Sequence, residues 1–171
     1  MTMQRYDLLL SVCTTARGLA FALFEGGANP VDWGRAEFRG APKNHRCIER
    51  FIGLLDRYRP DLVILQDAAD LTHRRSHRAA QLTRAFAAHT EGHGVQFVTR
   101  SRKDVLNTFS HLNPCTKQVI AKKIVELIPV FGQHMPRKRD PWSSEDSRMS
   151  LFDAAALALS LLHGSRKLPP P

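Results

Sequence analysis

Apolar positions in the first third of the chain fall in short runs rather than in a helical repeat. Residues 6–13 form one run, 19–24 a second, and 31–39 a third after the turn-rich Glu25-Gly26-Gly27-Ala28-Asn29-Pro30. Three such runs joined by tight connections predict an antiparallel start. The period then changes. Ile48, Phe51, Ile52, Leu55 and Tyr58 recur at helical spacing and predict a helix that ends at Arg59-Pro60. Leu62-Val63-Ile64-Leu65 is apolar throughout, as a central strand covered on both faces would be.

A helix over 77–90 follows, with Leu82 and Phe86 inward, and Gly92 and Gly94 separate it from a fifth strand at 95–98. Helices are predicted at 102–109, 116–128 and 150–163. The segment 129–147 holds three prolines, Gly132 and Arg137-Lys138-Arg139, and reads as a loop. The order β-β-β-α-β-α-β, then helices, predicts an α/β fold with a five-stranded mixed sheet flanked by helices on both faces. Residues 1–165 fit one domain, and the Pro-rich tail 166–171 is expected to be disordered.

Charge adds the first hint of function. Twenty-five Lys and Arg face 16 Asp and Glu, for a net charge of +9. Such an excess concentrates polyanions near the surface. Cys13, Cys47 and Cys115 are far apart and odd in number, which excludes a disulfide framework or a zinc site as the organising device. No apolar run reaches the roughly 20 residues of a membrane helix, and with no export signal in view the cytoplasm is the expected compartment. There is no phosphate-binding glycine loop and no dinucleotide fingerprint.

Several stretches resemble the RuvC Holliday-junction resolvases. Arg59-Pro60-Asp61-Leu62-Val63-Ile64 is similar to that family's Q-P-D and following strand. Arg102-Lys103-Asp104-Val105-Leu106 and Thr116-Lys117-Gln118-Val119 resemble its x-V-K turn and K-x-Q-V helix. Asp153-Ala154-Ala155-Ala156-Leu157-Ala158-Leu159 resembles its D-A-L-A-I-A helix, and Ser11 to Gly18 stands in place of its D-P-G-x-x-x-x-G hairpin. The resemblance implies a ribonuclease H-like fold with strand order 3-2-1-4-5. It also implies a nuclease site of four carboxylates holding two Mg²⁺ or Mn²⁺ ions, DNA as partner in preference to RNA, and a homodimer.

Aligned on Gly18, the family's first acid position holds Ser11; the others hold Gln66, Ser150 and Asp153. One carboxylate of four survives. Asp67 at the end of the strand, and Glu145 and Asp146 before the last helix, are acids that could stand in, giving a candidate catalytic set of Asp153, Asp67 and Asp146, with Asp153 and Asp67 as candidate metal ligands. Neutral residues at three positions point instead to a reduced or lost nuclease.

The basic residues cluster. Arg74, Arg75, His77 and Arg78 lie at a helix start, where cations oppose the helix dipole and a phosphate partner would explain them. Arg100, Arg102 and Lys103 follow the fifth strand, and Lys117 opens a helix. Arg137, Lys138 and Arg139 precede Trp142, a pairing that suits backbone tracking with base stacking, although Trp142 could equally pack down as an apolar anchor. Three readings follow. The chain is a RuvC-like protein that binds branched or structured DNA with a weakened nuclease site, an active Mg²⁺- or Mn²⁺-dependent endonuclease with relocated carboxylates, or a protein-assembly module that keeps only the fold.

Overall fold

The computed structural model describes residues 6–71 and 77–164. Its five strands are β1 (Leu8–Thr14), β2 (Gly18–Glu25), β3 (Asn29–Glu37), β4 (Leu62–Gln66) and β5 (Gln96–Arg100). They form one sheet in the order β3-β2-β1-β4-β5. The first three strands pair antiparallel, and β4 and β5 join parallel to β1. The predicted mixed sheet and its strand order are both present.

Helices α1 (Lys43–Tyr58) and α2 (His77–Gly92) cover one face of the sheet; α3 (Arg102–Thr108), α4 (Lys117–Leu127) and α5 (Met149–Leu162) lie on the other side. The pleat sorts the strand residues between the two layers. Leu10 and Val12 of β1, with Val63 and Leu65 of β4, pack toward Phe51 and Phe86, whose rings stack 4.4 Å apart. Leu9 and Cys13, with Leu62 and Ile64, pack toward α5. Because α5 lies between the sheet and the α3/α4 pair, ten of its fourteen residues are buried. That is why its sequence is apolar on almost every side.

Two local devices align the strands. Gly18 opens β2 so close to β3 that a Cβ there would stand 1.7 Å from the Ala36 carbonyl oxygen. Only glycine fits. At the opposite end of the sheet, the Asp61 carboxylate accepts bonds from the backbone N–H groups of Asp7 (3.0 Å) and Leu8 (2.8 Å), tying the start of β1 to the start of β4.

The segment expected to be loop over 129–147 is partly ordered as helix. Pro129–His134 makes a 3-10 helix that buries Phe131 against Trp33, with ring centroids 5.1 Å apart. Proline at its start and one apolar anchor suffice for so short a turn, and neither produces a readable period. Among the described residues no helix is long and apolar enough to cross a membrane. The tail at 166–171 lies outside the described residues.

Candidate functional site

Strands β1 and β4 are parallel neighbours, but their chains leave the sheet in opposite directions, β1 to β2 and β4 toward β5. Crevices in open α/β sheets form at such a switch point. Here a crevice of about 500 Å³ opens there, lined by Gln66, Asp70, Arg100, Arg102, Lys117 and Asp153 among others.

Lys117 is one of the residues that line it. Thr116 caps α4 by accepting the Val119 N–H, so Lys117 leaves the first helical position toward α5. Its Nζ lies 3.1 Å from Asp153 Oδ2 and 2.9 Å from Glu145 Oε1. Burial pulls the ammonium down, but the two carboxylates outweigh it and leave the Lys117 pKa raised. The surrounding protein likewise pushes the Asp153 carboxyl up, against the opposing pull of Lys117. Directly below, Cys13 is buried, and its thiol is held well above the ordinary range by burial first and the Asp153 charge second. A thiol so placed stays protonated and inert.

The rim is cationic. Arg100 ends β5 and Arg102 begins α3, whose start is a full capping box: Ser101 Oγ accepts from Asp104 N while Asp104 accepts from Ser101 N. Arg102 N in turn donates to Asp70 Oδ2 at 2.6 Å. Among the described residues Arg100 Nε is buried and has no hydrogen-bond partner. A buried guanidinium N–H without an acceptor is costly.

The candidate residues do not all meet in one place. Gln66, Arg100, Arg102, Lys117 and Asp153 come together in the crevice. Ser11 does not. It is fully buried two residues before Cys13 on the same strand face, and its Oγ donates to the Ala154 carbonyl at 2.6 Å. Cys13, one step past the paired Val12 and Leu65, lies close enough to Asp153 and Lys117 for their charges to act on its thiol. Ser150 also turns away, its Oγ bonded to the Ser147 carbonyl at 2.7 Å.

Of the acids considered as replacements, Glu145 pairs with Lys117 beside Asp153, and the other two are engaged elsewhere. Asp67 folds back on its own turn, with Oδ1 accepting from Ala69 N at 2.9 Å. Asp146 accepts from the Arg148 guanidinium at 2.6 Å and from the backbone N–H groups of Arg148 and Arg137, which hold its carboxyl far below the carboxylate range. The second acid that does line the crevice is Asp70, which sequence reasoning missed. Its position was legible only as one of several acids after β4.

Among the basic candidates, Arg78 is used internally. Its guanidinium donates to the carbonyls of Thr15 (3.1 Å) and Ala16 (3.0 Å) and to Asn44, bracing the β1–β2 hairpin. His77 is exposed at the start of α2 beside Gln81. Lys103, Arg137, Lys138 and Arg139 are exposed. Arg74 and Arg75 lie outside the described residues.

No protein-family model matches the sequence, and no curated protein sequence matches it. Solved structures do. Thermus thermophilus RuvC in complex with a Holliday-junction substrate superposes with a TM-score of 0.68 at 16% identity, over 92% of this chain and 95% of that one. The chain has the RuvC-like, ribonuclease H-like fold. The fowlpox virus Holliday junction resolvase is also similar, with a TM-score of 0.54 at 15% identity, over 92% of this chain and 99% of that one. A second fowlpox structure, of the resolvase with its substrate Holliday-junction DNA, gives 0.55 at 15% identity.

The RuvC resemblance in the sequence implied Mg²⁺ or Mn²⁺, so the donors can be tested against that expectation. Two such ions bring +4 and need several oxygen ligands within about 2.1 Å. The donors at hand are Asp153 and Glu145, both paired to Lys117, Asp70 bonded to the Arg102 N–H, a neutral Gln66 and the buried, protonated Cys13. Among the described residues no three His, Cys, Asp or Glu side chains gather as a metal site. The donor set does not fit a two-metal centre.

Proposed function

We propose that this protein binds branched DNA through the β1/β4 crevice and its cationic rim, and does so without efficient cleavage. The observation that carries the reading is the Lys117 ammonium seated between Asp153 and Glu145. That ammonium offsets the charge of both carboxylates from within the chain, which leaves them less available to divalent ions. What remains at the rim, Arg100 and Arg102, is suited to phosphate oxygens. The fold supports a branched substrate, since the similar RuvC and fowlpox structures were solved with Holliday junctions. A homodimer belongs to the same proposal, because a two-fold junction suits two-fold symmetry.

The test pairs binding with cleavage. A labelled four-way junction, a duplex of equal length and a single strand are titrated with the protein in EDTA, Mg²⁺ and Mn²⁺, and the products are run on a denaturing gel. The expected result is tightest binding to the junction in all three conditions and no cut strands. Metal-dependent cleavage that disappears in Asp153→Asn or Asp70→Asn would instead establish a nuclease with relocated carboxylates.

A further inference from the structure

The loop before α5 carries a large aromatic side chain that the crevice does not use. Trp142 is 84% exposed, the most open of the large apolar side chains in the described residues. Its ring meets no other aromatic ring there, unlike Trp33, which packs on Phe131 and donates Nε1–H to His134. Leaving an indole in water forfeits a large apolar contact, so a ligand surface is the natural reason to present one.

Hydrogen bonds brace the presentation. Residues 140–143 form a turn closed by Ser143 N donating to the Asp140 carbonyl at 3.0 Å, with Pro141 at the position such turns favour. Ser143 Oγ donates to the same carbonyl, and Arg139 Nε donates to the Ser143 carbonyl at 2.8 Å. Behind the turn, Gln118 holds the Pro136 carbonyl, and Asp146 holds Arg137 N and Arg148 together. The indole therefore stands at the tip of a braced turn, with little ordering left to be done on binding.

Its location and surroundings favour nucleic acid over protein. Glu145, three residues on, is ion-paired to Lys117, which lines the crevice, and three residues span at most about 11 Å. Arg137, Lys138 and Arg139 flank the turn, all exposed. Cations beside an aromatic face match a sugar–phosphate backbone with bases turned out of their stack.

We propose that Trp142 stacks on an unpaired or splayed base at the branch point of bound DNA, as the residue that distinguishes branched from continuous duplex. This rests on the DNA-binding reading above. The test measures affinity and salt dependence for a four-way junction, a flush duplex and a junction carrying 2-aminopurine at the branch. The unaltered chain is compared with Trp142→Ala, Trp142→Phe and a Trp33→Phe control.

Trp142→Ala should weaken junction binding roughly tenfold, leave duplex binding and the salt slope unchanged, and abolish quenching of 2-aminopurine. Trp142→Phe should recover most of the affinity. In Trp33→Phe, where Trp142 is the one tryptophan left, junction binding should still quench the protein fluorescence. Junction affinity unchanged in Trp142→Ala would overturn this inference alone. An unaltered chain that binds no DNA would overturn it together with the broader reading.

Discussion

The Ser11 hydroxyl donates a 2.6 Å hydrogen bond to the main-chain carbonyl of Ala154, the residue next to Asp153. One small polar group in the middle of β1 thus fixes the height of α5 over the sheet, and with it the position of the crevice carboxylate. An acid at this position would meet a carbonyl oxygen, with apolar residues on either side.

That contact yields opposite expectations for two substitutions. Ser11→Ala should cost about 1 kcal/mol, the usual loss for one buried hydrogen bond. Ser11→Asp should cost at least about 3 kcal/mol, because an unpaired charge would be buried against an acceptor. Urea unfolding measures both. An Asp variant as stable as the parent would mean that Ser11 faces the crevice after all.

The cations divide by role. Arg100→Ala and Arg102→Ala should each flatten the salt dependence of DNA binding by about one unit of slope, with little change in unfolding midpoint. Arg78→Ala should behave in the reverse sense, because its guanidinium holds the hairpin carbonyls at Thr15 and Ala16. Its loss should lower stability by about 1–3 kcal/mol and leave the salt slope alone. Parallel binding titrations and melts separate the two behaviours.

Negative charge can be returned to the crevice at the positions the structure designates. Gln66→Glu adds a carboxylate on the crevice wall, and Cys13→Asp adds one beneath Asp153 within reach of Lys117. Calorimetric titration with Mn²⁺ should detect no binding to the parent at millimolar metal and measurable binding to the double variant. Equal binding by both proteins would contradict the donor analysis.

Acid sensitivity should trace to the loop before α5. The Arg148 guanidinium holds the Asp146 carboxyl below its ordinary pKa, so in acid the unfolded chain binds the proton first. The stability from this pair is complete above the unfolded carboxyl pKa of about 3.9 and is lost as pH falls toward the depressed folded value. Melting temperature should therefore drop below about pH 4 in the parent and drop less steeply in Asp146→Asn. Identical pH profiles would remove Asp146 from the acid transition.

The sheet, its helices and the neighbourhood of Asp153 were legible in the sequence because they rest on local periodicity. The continuous burial of β1, the unbroken apolar run of β4 and the almost wholly apolar α5 each follow from which faces a neighbouring element covers. What each charged or polar group meets is a different kind of quantity. Ser11 and Cys13 share one strand face, so periodicity cannot choose between them. The choice depends on hairpin length and on how far β1 extends past β4, which long-range pairing sets. Lys117 reads as a solvated helix residue until α4 docks on α5 and brings Asp153 to 3.1 Å. Arg78 reads as a phosphate contact until the hairpin folds beneath it, and Trp142 as anchor or stacker until its turn closes with the indole outside. Sequence alone determined which faces are buried, because burial repeats with the backbone period. Tertiary structure decided which cations are free for a ligand, because a charge takes its partner from whichever distant element packs against it.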